Sequence, residues 1–217
     1  MQIFIDTANL DEIKKYASFG IVDGVTTNPS LLAKEGVSLE GRIKEIAKIV
    51  KGPISAEVTG ETAEKMLEEG RVYAKWAQNI YIKVPATLEG LKAVKQFSEE
   101  AIHTNVTLVF SLTQAVLAAK AGASLVSPFV GRLDDIGEDG MKLIEDIVKA
   151  YKNYSFNTHV LVASVRNIEH VKRAILMGAN AATIPPNILE QLMDHPLTTK
   201  GIQKFLEDWN KVKDLNK

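Results

Sequence analysis

The chain has 217 residues, 46% of them hydrophobic, and is long enough to bury one substantial core. Its 26 basic and 27 acidic residues leave a formal net charge of −1, so we expect neither nucleic acid nor a membrane surface among its partners. Cysteine is absent, which excludes disulfides, thiolate metal sites and a cysteine nucleophile.

Short apolar runs alternate with amphipathic helical runs along the chain. Eight of the apolar runs are predicted to be strands, at residues 3–6, 24–28, 54–58, 80–84, 105–110, 125–129, 159–164 and 180–185. Alternating strands and helices indicate a parallel sheet, and eight such units in this length fit an α/β fold, the closed (β/α)8 TIM barrel. A doubly wound open sheet is the alternative, although its Gly-rich phosphate motif is missing.

Residues 1–217 are predicted to form a single domain, because no linker or low-complexity segment interrupts them. An extra C-terminal helix is predicted at about 198–214. An apolar stripe runs along this helix at helical spacing: Ile202, Phe205, Trp209 and Val212. The stripe packs either on its own barrel or on a neighbouring subunit, and the sequence does not separate the two.

Polar residues stand at the ends of the predicted strands. Six strands reach a polar residue after an apolar run: Asp6, Asn28, Glu57, Lys83, Ser127 and Ser164. The fifth strand carries Asn105 and Thr107, whose period-2 spacing places both on one side. In parallel barrels the catalytic groups come from the C-terminal ends of several strands. Asp6 and Asn28 also have an ordinary explanation, as caps of the helices that follow.

Lys83 lies in the middle of IYIKVPAT, a segment otherwise typical of a buried strand. Lysine is rarely buried without a partner or a purpose, and a structural ion pair is one explanation. The other is nucleophilic chemistry, because burial disfavours the charged form of an amine and only the neutral amine attacks a carbonyl carbon. Asp6 and Glu57 would supply the carboxylates that such chemistry needs.

Two arginines follow adjacent strands, Arg132 in SPFVGRLDD and Arg166 in ASVRN. Their guanidinium groups match the oxygens of a phosphate, so the two loops together could clamp one. The alternative is an ion pair for each arginine, with Asp134 or Asp135 for the first and with Glu169 for the second.

The first residues, MQIFIDTANL, lack the basic segment and the long apolar run of a signal peptide or a membrane span. We therefore expect a cytoplasmic protein. The histidines show no metal-ligand spacing and are predicted to be surface or structural residues: His103, His159, His170 and His195.

Five motifs occur in the order IDTAN, DGVTTNPSLL, IYIKVPAT, SPFVGR and ASVRN, and with them the chain resembles the short, single-barrel transaldolases. The resemblance runs from residue 1 to about 210. It implies a class I enzyme of the pentose phosphate pathway that transfers a dihydroxyacetone unit between sugar phosphates through a lysine imine. It also implies that no metal or organic cofactor is required, and that the protein is a homo-oligomer, either a pentamer or a decamer.

The resemblance assigns roles to individual residues. Lys83 matches the Schiff-base lysine, and Asp6 matches the carboxylate that shuttles protons. Glu57 and Thr107 match the pair that holds the catalytic water. The residues that match those around the dihydroxyacetone unit are Thr26, Asn28, Asn105 and Ser127. The residues that match the phosphate-binding set are Arg132, Ser164 and Arg166.

Fructose-6-phosphate aldolases resemble the same short barrels but release free dihydroxyacetone. In that group the position of Glu57 is typically glutamine, that of Asn105 is apolar, that of Phe129 is tyrosine and that of Arg166 tends to be lysine. This chain follows the transaldolase pattern at all four. Because phenylalanine offers no proton, Phe129 is predicted to favour transfer over release.

The sequence therefore predicts a transaldolase. Its donor would be sedoheptulose 7-phosphate or fructose 6-phosphate, and its acceptor glyceraldehyde 3-phosphate or erythrose 4-phosphate. One alternative is the aldolase activity. The other is a barrel that binds sugar phosphates without catalysis, in which Lys83 would be ion-paired and unreactive.

Overall fold

The computed structural model describes residues 1–213, and its centre is a closed barrel of eight parallel strands. The strands are β1 (Gln2–Asp6), β2 (Gly24–Thr26), β3 (Ile54–Glu57), β4 (Ile80–Pro85), β5 (Thr104–Val109), β6 (Leu125–Pro128), β7 (His159–Val162) and β8 (Ala181–Ile184). Each strand pairs with its neighbours in chain order, and β8 pairs with β1. The predicted (β/α)8 TIM barrel is confirmed, and the open-sheet alternative is wrong.

Helices connect the strands and surround the barrel. They are α1 (Leu10–Ala17), α2 (Pro29–Glu35), α3 (Leu39–Ile49), α4 (Ala63–Tyr73), α5 (Leu88–Glu99), α6 (Leu112–Lys120), α7 (Val130–Asp134), α8 (Gly140–Asn153), α9 (Ile168–Met177), α10 (Pro186–Gln191) and α11 (Pro196–Val212). Most begin at a side chain that accepts a hydrogen bond from the first turn, such as Ser38, Thr62, Thr87 and Ser111. These caps satisfy backbone N–H groups that have no partner within the helix.

Alternation along the strands separates two apolar clusters. In β4, Ile80 and Ile82 belong to the large cluster between the strands and the helices. Tyr81 packs instead against a small cluster inside the barrel, formed by Phe4, Leu125, Leu161 and Ala181. Because successive strand residues point to opposite faces, Lys83 follows Tyr81 into the interior. This small cluster lies below the polar residues, which face the C-terminal ends of the strands.

Two strands end two residues earlier than the sequence predicted. β2 ends at Thr26 rather than at residue 28, because Asn28 already serves as the cap of α2. β7 ends at Val162, and Ser164 lies beyond it with a φ of 58°, outside strand geometry. Both differences fall on residues predicted for the site, where loop geometry replaces strand geometry.

The predicted C-terminal helix is α11, which begins at Pro196 and ends at Val212. The end expected at residue 214 lies outside the described residues. The side chains of its apolar stripe are 42% to 75% exposed, so packing on its own barrel is the wrong alternative. Within residues 1–213, no helix is both long enough and apolar enough to cross a membrane.

Candidate active site

Strand register brings three predicted site residues to one level of the barrel. Glu57 on β3 pairs with Lys83 on β4, which in turn pairs with Asn105 on β5. Paired residues of parallel strands point to the same face, so these three side chains lie side by side at the C-terminal end of the barrel. Next to β3, strand β2 carries Thr26, which pairs with Asp6 at the end of β1.

Lys83 is 5% exposed and makes two polar contacts. Its Nζ donates to Glu57 Oε2 at 3.0 Å and to the main-chain oxygen of Thr27 at 3.2 Å. The ion pair considered from the sequence is therefore present. Its amine nevertheless stands at a cavity wall rather than in a closed core, since Lys83 lines both cavities of the barrel mouth.

Asp6 is half-buried and accepts a hydrogen bond from Thr26 Oγ1 at 2.7 Å. Burial raises the pKa of Asp6, and the nearby charge of Glu57 adds to the rise, while the Thr26 bond and the Lys83 charge oppose it. A carboxyl with a raised pKa gains and loses a proton more readily at neutral pH, as general acid–base chemistry requires. The capping interpretation of Asp6 is wrong, because Asn9 caps α1.

A buried hydrogen-bond chain fixes the amide of Asn105. Ser127 Oγ donates to Asn105 Oδ1 at 2.7 Å, and Asn105 Nδ2 donates to Ser55 Oγ at 3.0 Å. Because both the oxygen and the nitrogen of the amide are hydrogen-bonded, the amide cannot rotate without breaking a hydrogen bond. Within the described residues, the buried Thr107 Oγ1 has no hydrogen-bond partner, and such a hydroxyl is suited to hold a polar ligand or a water molecule.

Strand β5 is irregular beside these residues. Its pairing with β6 shifts register between Val106 and Val109, and Leu108 has a φ of 57°. Non-glycine residues with such backbone angles are uncommon and cluster at functional sites. Leu108 lines the cavity that also contains Glu57 and Lys83, so the bulge turns an apolar side chain towards the barrel mouth.

Two cavities open at the mouth, one of about 180 Å³ and one of about 300 Å³. Four residues line both of them: Asn28, Lys83, Phe129 and Arg132. Asn28 also caps α2, since its Oδ1 accepts from Leu31 N at 2.9 Å. The capping interpretation of Asn28 is thus confirmed, and the same side chain lies at the cavity wall.

The two arginines differ in what holds them. Within residues 1–213 no carboxylate pairs with Arg132, whose guanidinium lies 5.0 Å from the centre of the Phe129 ring. Arg166 pairs with Asp135, at 2.8 Å from Nη2 to Oδ2. The partner considered from the sequence, Glu169, pairs with Lys172 instead. Both arginines line the smaller cavity together with Ser164, so the charge of this end of the site is positive.

Known proteins match this chain over nearly its whole length. The family model described as Transaldolase/Fructose-6-phosphate aldolase matches residues 3–216. The chain belongs to the transaldolase/fructose-6-phosphate aldolase family. It is 60% identical to a probable transaldolase of Oceanobacillus iheyensis, over 98% of this chain and 100% of that protein. It is 59% identical to a probable transaldolase of Anaeromyxobacter sp. strain Fw109-5, over 98% of this chain and 99% of that protein.

A distant solved structure shares the fold alone. The thiamine phosphate pyrophosphorylase of Pyrococcus furiosus superposes with a TM-score of 0.61 at 12% identity, covering 88% of this chain and 93% of that one. At this identity the likeness supports the barrel architecture of this chain and says nothing about the reaction that this chain catalyses.

The residues singled out by the family resemblance converge at one end of the barrel. Those that line the two cavities are Asp6, Thr26, Asn28, Glu57, Lys83, Ser127, Phe129, Arg132, Ser164 and Arg166. Asn105 and Thr107 are fully buried beside them. Three further residues of the site were not predicted from the sequence: Ser55, Leu108 and Thr183, the last of which lines the smaller cavity. Ser55 stands two residues before Glu57, so the period-2 rule would have found it, whereas the backbone angle of Leu108 leaves no signal in the sequence.

Proposed function

We propose that the protein is a transaldolase that transfers a dihydroxyacetone unit from a ketose phosphate to an aldose phosphate, through an imine on Lys83. The observation that carries this proposal is the Lys83 amine, nearly buried yet at a cavity wall between Glu57 and Asp6. The names of the close relatives support the same reaction. The donor would be sedoheptulose 7-phosphate or fructose 6-phosphate, as in the pentose phosphate pathway, and the reaction would take place in the cytoplasm.

The reaction needs a proton acceptor at two stages. Lys83 must lose a proton before its nitrogen attacks C2 of the ketose, and Glu57 Oε2, at 3.0 Å, is the carboxylate in contact with it. After water leaves and the imine forms, a base removes the proton of the C4 hydroxyl while the C3–C4 bond breaks. Asp6 is the carboxyl suited to this step, because burial raises its pKa. The aldose phosphate then leaves, and a three-carbon enamine stays on Lys83.

The second half of the reaction reverses these steps with a new aldose phosphate. The enamine carbon attacks the acceptor aldehyde, and the new alkoxide takes back the proton held by Asp6. Water then hydrolyses the imine and frees Lys83. Glu57 and the unpartnered hydroxyl of Thr107 are the groups suited to hold that water.

Neutral polar side chains would orient the three-carbon unit. Thr26, Asn28 and Ser127 line the smaller cavity next to Lys83, and Asn105 is fixed behind them by its bonds to Ser127 and Ser55. Such fixed donors and acceptors hold the substrate hydroxyls in one orientation, which lowers the entropic part of the barrier.

The phosphate would lie between Arg132 and Arg166, with Ser164 beside them. Arg132 is on α7, which follows β6, and Ser164 and Arg166 are on the loop beyond β7. Lys83 is on β4, so the phosphate is held away from the reacting carbons. Binding energy from such a remote group positions the reacting part of the substrate. To take a phosphate, Arg166 would exchange its bond to Asp135 for bonds to phosphate oxygens.

Phe129 is the observation that favours transfer over release. It lines both cavities, and its ring lies edge-on to Phe110 with ring centres 5.9 Å apart. A phenyl ring there donates no proton to the enamine, so the three-carbon unit waits for an acceptor aldehyde.

The proposed function is tested by product analysis with fructose 6-phosphate, with and without erythrose 4-phosphate. A transaldolase forms sedoheptulose 7-phosphate and glyceraldehyde 3-phosphate only when the acceptor is present. Sustained glyceraldehyde 3-phosphate and free dihydroxyacetone without the acceptor would indicate an aldolase instead. Binding of fructose 6-phosphate without any product would indicate the non-catalytic barrel, in which Lys83 is only an ion-pair partner.

The apolar stripe of α11 supports a homo-oligomer, either a pentamer or a decamer. Its side chains are exposed in the single chain, and burying Phe205 and Trp209 against a neighbour would remove a large apolar area from water. Sedimentation equilibrium is expected to give the mass of five or ten chains. A Trp209→Glu variant is expected to dissociate, whereas a monomeric wild type would contradict this assignment.

A further inference from the structure

Helix α7 packs closely against the loop that carries Arg166. The main-chain N–H groups of Val130 and Gly131 donate to the oxygens of Ala163 and Ser164, each at 3.0 Å. Gly131 makes the approach possible, because a Cβ at that position would lie 2.5 Å from Arg166 Cγ. The two segments proposed to hold the phosphate are thus tied to each other.

His170, in the first turn of α9, makes a second tie to this loop. It is 6% exposed, and its Nδ1 accepts a hydrogen bond from the main-chain N–H of Arg166 at 3.2 Å. Its Nε2 lies 2.8 Å from Asp134 Oδ2, at the end of α7. A ring nitrogen that accepts carries no proton, so the proton must be on Nε2, where the Asp134 carboxylate accepts it.

Asp134 is itself held in place, since its Oδ1 accepts from Gly140 N at 3.0 Å. The adjacent Asp135 holds the guanidinium of Arg166. The two consecutive carboxylates at the end of α7 therefore hold Arg166 at two points. Asp134 holds its main chain through His170, and Asp135 holds its side chain directly.

The loop needs such support because Ser164, two residues before Arg166, has a φ of 58°. A non-glycine residue in this region is strained and persists only where its surroundings enforce it. The bonds from Gly131 and from His170 on either side of this strained segment supply that enforcement.

We propose that His170 is a positioning residue for phosphate binding: its Nδ1, with the tautomer set by Asp134, holds the main chain of Arg166 so that the guanidinium stands at the phosphate. This inference rests on the proposed function, because it takes Arg166 as a phosphate contact. His170 touches no reacting atom, so its loss would weaken phosphate binding and leave the imine chemistry at Lys83 in place.

Three variants at His170 separate the two bonds. His170→Asn keeps an acceptor oxygen at the place of Nδ1, His170→Gln keeps a donor nitrogen near the place of Nε2, and His170→Leu keeps neither. We expect the Leu variant to raise the KM for glyceraldehyde 3-phosphate and the Kd for inorganic phosphate about tenfold. The Gln variant is expected to behave similarly and the Asn variant to stay within about threefold of wild type, while kcat changes little in all three.

Arg173→Leu is the matched control. Arg173 lies on the same helix and ties α9 to the cap of α8 through two bonds to Asp139, of 2.9 and 3.0 Å. Within residues 1–213 no hydrogen bond joins it to Arg166. Its loss is expected to lower the melting temperature as much as the loss of His170, with no change in phosphate affinity. Phosphate affinity is measured by calorimetry, which needs no turnover.

The outcomes separate this inference from the proposed function. If wild type transfers dihydroxyacetone but all His170 variants bind phosphate like wild type, or if the Asn variant is as weak as the Leu variant, the positioning role is wrong. If phosphate binding weakens in the expected order while wild type shows no transfer, the positioning role stands and the proposed reaction is wrong. A wild type that binds no phosphate overturns the positioning role.

Discussion

Two hydrogen-bonded ion pairs of similar length lie at the mouth of the barrel, and their surroundings differ. The side chains of Lys83 and Glu57 are 7% and 18% exposed, whereas those of Arg166 and Asp135 are 52% and 55% exposed. The first pair joins two strands of the barrel wall, and the second joins two loops outside it.

This difference determines what each pair is suited to do. Water surrounds the Arg166–Asp135 pair and competes with it, so it contributes about 0–1 kcal/mol and Arg166 exchanges partners at low cost. The Lys83–Glu57 pair lies where charges are poorly solvated, so moving its proton changes the energy of the site strongly. An exposed pair suits a binding group that must be released, and a buried pair suits a group whose protonation state is the chemistry.

The largest expected effect is the loss of the buried pair. Lys83→Met is expected to abolish transfer, because no amine remains to form the imine. It also leaves Glu57 without its cation, at a cost of about 1–3 kcal/mol in the free energy of unfolding, measured with urea. A Lys83→Met/Glu57→Gln double variant is expected to recover most of that stability and none of the activity. Activity returning with stability would mean that Lys83 serves only as an ion-pair partner.

Replacing Asp6 tests the second buried carboxyl. Asp6→Asn keeps an acceptor for Thr26 Oγ1 but cannot act as a general acid or base near neutral pH, so kcat is expected to fall by ~10²–10⁴-fold. In the unfolded chain Asp6 ionises near its ordinary pKa of 3.8, whereas burial raises its pKa in the folded protein. At pH values between these two pKa values, the folded state binds more protons than the unfolded state. The free energy of unfolding of the wild type therefore falls as pH rises.

Asn at position 6 lacks this pH-dependent loss. The difference in unfolding free energy between Asp6→Asn and wild type is therefore expected to move in favour of the variant as pH rises from 3.8, and to level off above the raised pKa of Asp6. A difference that stays flat from pH 3 to pH 8 would show that the carboxyl is not desolvated.

Arg166 tests the exposed pair with a smaller effect. Arg166→Ala is expected to raise the KM for phosphorylated substrates by ~10–100-fold with little change in stability, because only charge-assisted bonds to the phosphate are lost. Asp135→Asn is the matched comparison. It frees the guanidinium without removing it, and the KM is expected to change by less than about fivefold. Equal effects of the two changes would contradict the exchange of partners.

The smallest change concerns the fate of the enamine rather than its formation. Phe129→Tyr adds one hydroxyl at a wall shared by both cavities, and the ratio of free dihydroxyacetone released to units transferred is expected to rise several-fold. Phe110→Tyr is the control, since Phe110 touches Phe129 but does not line either cavity. The same ratio in wild type and Phe129→Tyr would refute the assignment of transfer to this residue.

The barrel and much of the site were predictable because the pattern of apolar and polar residues in the sequence indicates each strand and the face to which its side chains point. A polar residue that follows an apolar run, such as Lys83 in IYIKV, points inward by the same alternation that places Ile82 in the outer core. Parallel pairing then puts Glu57, Lys83 and Asn105 at one level without further information.

The remaining features depend on packing between distant segments. Glu169 is closer in sequence to Arg166, but Asp135 becomes its partner because Gly131 lets α7 approach the loop. The positive φ angles of Leu108 and Ser164 are imposed by their surroundings, and neither residue type signals them. Asp6 failed as a predicted cap because Asn9, three residues later, caps α1.

Borohydride trapping with fructose 6-phosphate, followed by peptide mass mapping, tests the central claim most directly. We expect a reduced three-carbon adduct on Lys83 alone, absent without the sugar and absent from the Lys83→Met variant. Folded, substrate-binding protein with an unmodified Lys83, or an adduct on a different lysine, would contradict it.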